Sequence, residues 1–298
     1  MIIPTLSVVV CTRNRVNSLK RCVDALAAAA TAHACELVIV DNGSSDGTRE
    51  YLESFKGSAI NRLLVKSTFE AKPGLGRARN TGWRTASANI IAFTDDDIYV
   101  ANDWVDSISA IFEENPETGF VGGPVLLYDS TDYNITVRET RERILFRPQE
   151  FIYPGWIGGG NMVFKRSALE RIGGFDQRMG AGTQFPCEDV DVEAAALWAG
   201  VPGLYDPRMV VYHHHGRKTE REAQQLMRSY DKGRGAYYAK YILKKASRGE
   251  YSRAWIGSVK HEFVSAIRGG RFPTMGRSLR ELSSGLRFVV SGLFEGAH

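Results

Sequence analysis

The first hundred residues alternate between short, continuously apolar runs and segments whose apolar residues recur at helical spacing. The apolar runs predict strands buried on both faces, at Leu6–Cys11, Glu36–Val40, Arg62–Lys66 and Asn89–Thr94. The segments between them predict helices at Asn17–Ala32, Thr48–Phe55 and Gly76–Ala86. Because such a series requires right-handed crossovers, it predicts an α/β fold with a parallel sheet and helices on both faces.

Polar residues follow three of the predicted strands directly. Thr12 and Arg13 follow the first strand, Asp41 follows the second, and Asp95–Asp97 follow the last. Ligands of open α/β sheets bind outside the carboxyl ends of the strands. We therefore expect these residues to share one site.

The three consecutive carboxylates of Asp95–Asp97 are the most constrained of these groups. Like charges this close raise one another's pKa unless a cation neutralises them. Mg²⁺ and Mn²⁺ prefer carboxylate oxygen and are commonly shared with phosphate, so a divalent metal site is one interpretation. A solvated acidic turn ahead of a helix at Asp103 is the other.

Two further segments have features of a nucleotide site. Arg77 and Arg79 lie where a glycine-containing loop enters a helix, and such a helix start suits a diphosphate. A carboxylate at Asp41 can bind a ribose or a base edge, whereas a well-formed turn and helix cap explain most of the following residues to Thr48.

The remainder of the chain has a less regular central stretch and a helical end. In residues 98–215 the pattern predicts a helix at Asp103–Asn115, a strand at Phe120–Tyr128, a glycine-rich loop at Ile152–Asn161, a helix from Glu188 to before Gly200, and a short strand at Val210–His213. From Thr219 onward the spacing is helical, and Gly269, Gly270 and Pro273 are expected to separate the last two helices.

The motifs occur in an order that resembles one known family. They are Ser7–Arg13, Val40–Thr48, Gly76–Gly82, Phe93–Asp97, Gly158–Asn161, Gly173–Asp176, Glu188–Asp191 and His213–His215. This set is similar to the family 2 glycosyltransferases, inverting enzymes of the Rossmann-like GT-A fold that use nucleotide-diphosphate sugars. The resemblance covers about residues 5–216. It implies a catalytic domain at 1–215, with a nucleotide-binding half at 1–97 and an acceptor half at 98–215, followed by a C-terminal helical extension at 216–298.

The resemblance also implies roles for individual residues. It places the catalytic base in the Glu188–Asp189 pair, on Asp189, although the dipole of a helix N-terminus would favour acids there as well. The residues expected to bind the nucleotide sugar are Thr12, Arg13, Asp41, Arg77, Arg79, Asp95 and Asp96. The expected metal ligands are Asp95, Asp97, His213 and His215, and both the register of the D-x-D motif and the choice of histidine stay open.

Acceptor binding is expected at Trp156, Gly159, Gly160 and Asn161. The tryptophan could stack on an acceptor sugar, and the adjacent glycines could leave room for it. A core tryptophan beside a turn is the alternative interpretation.

The functional prediction is a metal-dependent inverting glycosyltransferase that uses Mn²⁺ or Mg²⁺. We expect a UDP-sugar donor, although a dTDP- or GDP-sugar also fits, and a glycan or lipid-linked acceptor in bacterial polysaccharide or glycoconjugate synthesis.

One alternative is a sugar-phosphate nucleotidyltransferase, whose glycine-rich signature is replaced here by Cys11–Arg15. The other is a nucleic-acid-binding protein, disfavoured because the aromatic residues of the tail lie on apolar helical faces rather than among basic residues.

Positive charge is concentrated in the C-terminal part of the chain, residues 216–298. Residues 216–298 contain 17 Lys and Arg against 7 Asp and Glu, whereas residues 1–215 contain 21 against 27. A basic tail with a leucine-rich face near Ser278–Phe294 predicts peripheral contact with an anionic membrane. Packing of that face on the catalytic domain, or on a second copy in a homo-oligomer, is the alternative.

Four cysteines without paired spacing, no signal peptide and no long apolar run predict a cytoplasmic location, at most peripheral at the inner face of the plasma membrane.

Overall fold

The computed structural model describes residues 4–30, 35–55, 59–60, 63–269 and 275–295. The strands are β1 (Leu6–Thr12), β2 (Cys35–Asp41), β3 (Ala59–Ile60), β4 (Leu63–Phe69), β5 (Ile90–Asp95), β6 (Ile98–Val100), β7 (Phe120–Gly122), β8 (Val125–Leu127), β9 (Ile144–Phe146), β10 (Met162–Lys165), β11 (Gly203–Tyr205) and β12 (Val211–His213). The helices are α1 (Val16–Ala29), α2 (Thr48–Glu53), α3 (Leu75–Thr85), α4 (Trp104–Glu114), α5 (Arg166–Ile172), α6 (Glu188–Trp198), α7 (Glu220–Ile242), α8 (Arg248–Arg268) and α9 (Gly276–Glu295).

The main sheet has the strand order β3-β4-β2-β1-β5-β10-β7-β11-β9 within the described residues. Strands β4, β2, β1 and β5 are parallel, as the sequence predicts. The register sets Thr12 beside Asp41 and Cys11 beside Asp95, so the polar residues after these strands emerge at one edge. This edge is where the candidate site lies.

The main sheet is mixed beyond these four parallel strands, which are the ones that the sequence predicts. Strand β10 runs antiparallel to both β5 and β7, and β3 and β9 are antiparallel edge strands. These strands are two to four residues long, which is too short for a recognisable apolar period.

The prediction of a single strand at Phe120–Tyr128 is wrong. The chain leaves the main sheet after β7 and enters a second, three-stranded sheet as β8. Gly123 and Pro124, between β7 and β8, belong to neither strand. Proline has no N–H with which to continue a strand ladder, and the Pro124 carbonyl instead accepts hydrogen bonds from Val211 and Asn161. Strand β12, at the end of the central stretch, pairs with both β6 and β8 in this second sheet.

Helices cover both faces of the main sheet, as expected. The side chains of β1 alternate, so that Val8 and Val10 pack in a cluster with α1, and Val9 and Cys11 pack in a second cluster with α3 and α6. The hydrophobic effect of burying these two layers fixes the sheet between its helices.

The C-terminal part is helical, as the sequence predicts, and it is attached to the sheet domain by polar contacts. The Tyr237 hydroxyl of α7 donates to the Ile152 carbonyl, and Lys240 forms ion pairs with Asp176 and Asp191. Four residues named in the predictions, Ala32, Arg62, Gly270 and Pro273, lie outside the described residues. Within the described ranges, no helix combines the length and the apolar character needed to cross a bilayer.

Candidate functional site

A buried arginine connects three separate segments at the carboxyl edge of the sheet. Arg79 of α3 is only 2% exposed, and its guanidinium contacts Glu188 at 2.8 Å and Asp95 at 3.0 Å. The same guanidinium donates to the Gly159 carbonyl at 2.9 Å. A Cβ at Gly159 would lie 2.9 Å from this guanidinium, so the loop needs glycine to approach it. The end of β5, the glycine-rich loop and the start of α6 therefore meet at one cation.

The two acids at the start of α6 have different surroundings. Glu188 is buried and paired with Arg79, whereas Asp189 is partly exposed and free of direct ion pairs among the described residues. One oxygen of Asp189 accepts a hydrogen bond from the Gly159 N–H, and the other accepts from the Val190 N–H. Burial raises the pKa of Asp189, and the Arg79 charge and these hydrogen bonds only partly oppose the rise. A partly exposed carboxylate with a raised pKa is suited to accept a proton.

A second arginine neutralises the rest of the Asp95–Asp97 triplet. The guanidinium of Arg15, just before α1, contacts Asp96 at 2.9 Å and Asp97 at 2.7 Å. The Thr12 hydroxyl also donates to Asp96, at 2.7 Å. Burial raises the pKa of Asp96 to about 7, although Arg15 and Thr12 oppose the rise. Burial acts in the same direction on Asp97, but His213 and Arg15 outweigh it and hold the pKa of Asp97 well below its usual range.

The three consecutive histidines are used differently. His213 lies 3.5 Å from the Asp97 carboxylate, because β12 pairs with β6 directly after the triplet. The His214 backbone N–H donates to the Asp97 carbonyl, while its ring packs beside Tyr99. In His215 one ring nitrogen accepts from the Arg217 N–H and the other contacts the Tyr133 carbonyl. Of the three imidazoles, that of His213 is therefore the one placed beside the triplet.

The donor atoms around Asp97 fit a divalent cation that is shared with a diphosphate. No group of three or more metal-ligating side chains is already assembled among the described residues. Mg²⁺ and Mn²⁺ bound with a nucleotide need only one or two protein carboxylates, since phosphate and water complete the shell. Asp97, His213 and the partly exposed Asp95 supply oxygen and nitrogen donors of the right type.

Other predicted site residues lie at or near this edge. Asp41 accepts a hydrogen bond from the Ser44 N–H at 2.8 Å, which closes the turn after β2. Arg13 is exposed. Gly160 lies against Asp95, since a Cβ there would be 3.2 Å from the carboxylate. Arg77 contacts Gln177 and is not brought to the carboxylates that Arg79 binds.

Two of the predicted acceptor residues are engaged by the protein itself. The Asn161 side chain is fully buried, donates to the Pro124 and Met209 carbonyls and accepts from the Trp104 indole. It holds the glycine-rich loop, and its own polar atoms have no opening to solvent. The Trp156 ring is covered by the Arg138 guanidinium, 3.9 Å from the ring centre.

Sequence reasoning missed two residues that the structure brings to the site. Arg15 is one of them, whereas the sequence analysis names Arg13. The position of Arg15 at the start of the helix that follows the first strand could have indicated a place at the site. Tyr230 of α7 is the other, and burial, with a smaller contribution from the negative charges of Asp189 and Glu188, raises the pKa of its phenol. Helix α7 packs against the segment just before Glu188, since a Cβ at Gly233 would lie 1.7 Å from the Pro186 carbonyl oxygen.

Comparison with known proteins identifies a family and several relatives. A sequence model of the family described as "Glycosyl transferase family 2" matches residues 7–173. The pre-mycofactocin glycosyltransferase of Mycobacterium tuberculosis is 25% identical over 219 residues, covering 70% of this chain and 42% of that protein. The glucosyl-dolichyl phosphate glucuronosyltransferase of Haloferax volcanii is 27% identical over 193 residues, covering 58% of this chain and 56% of that protein. The chain thus spans about half the length of these curated relatives.

Solved structures show the same fold. The mannosyltransferase PcManGT from Pyrobaculum calidifontis, in complex with GDP-Man and Mn²⁺, has a TM-score of 0.63 at 18% identity, covering 100% of this chain and 77% of that one. Residues 1–349 of TarS from S. aureus, in complex with UDP-GlcNAc, have a TM-score of 0.61 at 16% identity, covering 81% and 67%. At these identities the likeness concerns the fold alone, and it confirms the expected GT-A architecture.

The role of Arg79 leads to a stability prediction. Arg79→Met leaves the buried Glu188 carboxylate without its cation, so we expect the free energy of unfolding to fall by about 3–5 kcal/mol. Arg77→Met, two residues earlier on the same helix, is the matched control and should change it by less than about 0.5 kcal/mol. Urea denaturation of both variants measures the difference. Equal values for the two would show that Arg79 does not hold the site together.

Proposed function

The chain belongs to glycosyl transferase family 2, and from this membership we propose that it transfers a sugar from a nucleotide-diphosphate donor to an acceptor hydroxyl, inverting the anomeric carbon. The observation that carries the proposal is the placement of one partly exposed carboxylate, Asp189, beside the Arg79-linked cluster that includes Asp95. Direct displacement needs one base for the acceptor and one positively charged site for the leaving group. We assign the base to Asp189, and the positive charge to Arg15 together with a divalent cation beside Asp97.

In the proposed reaction Asp189 acts as the base. The acceptor oxygen attacks the anomeric carbon, its proton passes to an Asp189 oxygen, and the bond from that carbon to the diphosphate oxygen breaks. The nucleoside diphosphate leaves with the bonding electrons. The Gly159 N–H orients Asp189, and the raised pKa of this carboxyl makes it a better proton acceptor than a solvated aspartate. Glu188 is held by Arg79 and is a positioning residue in this scheme.

The donor is proposed to bind over the ends of β1, β2 and β5. Asp41 and Thr12 would contact the nucleoside, and Arg15 is close enough to the triplet to exchange a carboxylate for a diphosphate oxygen. A bound Mn²⁺ or Mg²⁺, held by Asp97 and His213 with Asp95, would stabilise the growing charge on the diphosphate. The nitrogen atoms Nη1 and Nη2 of Arg79 already bind Glu188, Asp95 and Gly159, so we assign this residue to holding the site rather than to the donor.

The proposed substrate classes are supported by the family and by the names of its members. Two structural neighbours contain GDP-Man and UDP-GlcNAc, which supports a nucleotide-sugar donor; a UDP-sugar remains our first candidate. The acceptor is proposed to be a glycan or a lipid-linked saccharide, as the name of the Haloferax relative describes for that protein. A role in bacterial polysaccharide or glycoconjugate synthesis is part of the same proposal.

Metal dependence is tested by nucleotide binding. Wild-type protein should bind UDP with Mn²⁺ and lose most of that affinity in EDTA, because the diphosphate charge then faces carboxylates. Asp97→Ala should lose the Mn²⁺-dependent part of the affinity for UDP. Asp103 is an exposed aspartate outside the triplet, so Asp103→Ala should bind UDP as the wild type does. Isothermal titration calorimetry with UDP, GDP and dTDP in parallel measures this. If a nucleotide binds equally well with EDTA and to Asp97→Ala, the metal-bridged site is wrong.

The base assignment is tested by separating binding from chemistry. Asp189→Asn keeps the shape of the side chain but removes the proton acceptor, so nucleotide affinity and melting temperature should stay near wild type. The rate of donor turnover should fall by a factor on the order of 10²–10⁴. Nucleotide-diphosphate release from a donor panel measures the rate. A fully active Asp189→Asn enzyme would move the base elsewhere, with Glu188 or Asp191 next in line.

A further inference from the structure

Helix α9 is oriented with its polar face inward. The buried residues of α9 are mostly small or polar, and they are Ser278, Glu281, Ser284, Gly285 and Phe288. The large aliphatic residues of α9 lie on the opposite side and are between 44% and 72% exposed, and they are Leu279, Leu282, Leu286, Val290 and Leu293. These leucines and the valine recur at i+3 and i+4 spacing, so they form one continuous stripe. The packing of α9 on the sheet domain does not cover it.

The contact with α7 fixes this orientation. A Cβ at Gly235 would lie 2.0 Å from the Glu281 carbonyl, so the two helices cross too closely for a large residue. The Glu281 carboxylate is bound by Arg234 at 2.9 Å and by the Trp255 indole at 3.2 Å. The Ser284 hydroxyl donates to the Lys232 carbonyl. Rotating α9 to bury its leucines would break these hydrogen bonds. It would also place leucine side chains where the backbones of α7 and α9 now lie in close contact.

An apolar groove borders the exposed stripe. A cavity of about 190 Å³ lies between α7, α8 and α9, lined by residues that include Tyr238, Trp255, Leu282 and Leu286. Leu243, just after α7, stands exposed at its rim. Helix α8 adds further exposed apolar side chains, which are Ile256, Phe263, Val264 and Ile267. Apolar surface of this extent on a folded protein marks a contact with a partner or a membrane.

The charges around this surface are positive. Lys244 and Lys245 follow Leu243, Arg287 follows Leu286, and Lys260 lies between Ile256 and Phe263; all four are exposed. Three acids of α8 and α9 are paired with arginines, since Glu250 pairs with Arg253, Glu262 with Arg277, and Glu281 with Arg234. The accessible surface therefore combines aliphatic side chains with cations. Anionic lipid headgroups above acyl chains have the complementary chemistry.

We propose that the exposed face of α9, defined by Leu279, Leu282, Leu286, Val290 and Leu293, docks on the surface of an anionic lipid bilayer. The aliphatic stripe enters the boundary between headgroups and acyl chains, and the flanking cations contact the headgroups. A second copy of the chain is a poorer occupant, because it would bring Arg287 and the neighbouring lysines towards their own copies. Docking would bring the site close to a lipid-linked acceptor, a consequence that rests on the proposed function.

The test measures binding of the full chain to vesicles. Wild-type protein should co-sediment with vesicles of phosphatidylcholine that contain about a third phosphatidylglycerol, and less with phosphatidylcholine alone or at high salt. The double variant Leu286→Ser, Leu293→Ser should lower the partition coefficient by a factor on the order of ten or more, since two aliphatic side chains no longer leave water. Leu145→Ser is the matched control, because Leu145 of β9 is 64% exposed on the catalytic domain; it should bind as wild type.

Two results would overturn the proposal. The first is wild-type protein that stays in the supernatant with anionic vesicles at low salt, and the second is equal binding of the double variant and the wild type. If the first result comes with a wild-type dimer in light scattering that the double variant dissociates, the occupant of this face is a second copy of the chain. Melting temperatures establish that both variants are folded. Vesicle binding needs no donor or acceptor, so failure here is distinct from failure of the proposed transferase activity.

Discussion

The site depends on one buried cation. The Arg79 guanidinium neutralises Asp95 at the end of β5 and Glu188 at the start of α6, which lie far apart in the sequence. A buried carboxylate without such a partner costs several kcal/mol. The same guanidinium binds the Gly159 carbonyl, whose neighbouring N–H orients Asp189. The donor side and the acceptor side of the proposed reaction are thus joined through a single side chain.

Much of this arrangement could be predicted from the sequence, and the exceptions have physical reasons. The parallel strands were visible as apolar runs, and Asp41 and Asp95–Asp97 were identified because polar residues after such strands meet at one edge. The role of Arg79 was not visible, since an arginine at a helix start suits a diphosphate as well as a buried ion pair. The strands β10 and β11 were missed because three or four residues carry no period, and Pro124 changed one expected strand into two.

The tail shows the same limit of pattern reasoning. The sequence predicted a leucine-rich face on the last helix, but periodicity does not say which face of a helix packs inward. The close crossing at Gly235 and the buried Glu281 decide it, and they turn the leucines outward. The first tail helix also packs against Pro186 and Cys187, directly before Glu188, at Gly233. The tail therefore lies between the start of α6 and the exposed aliphatic surface.

The stereochemistry of the product tests the proposed displacement most directly. With one base and no second carboxylate assigned as nucleophile, the mechanism predicts a single displacement and an inverted anomeric centre. The donor that the enzyme turns over can be hydrolysed without acceptor and followed by proton NMR before the free sugar mutarotates. An α-linked donor should release the β-anomer first. Initial release of the α-anomer would show retention and would contradict the mechanism built on Asp189.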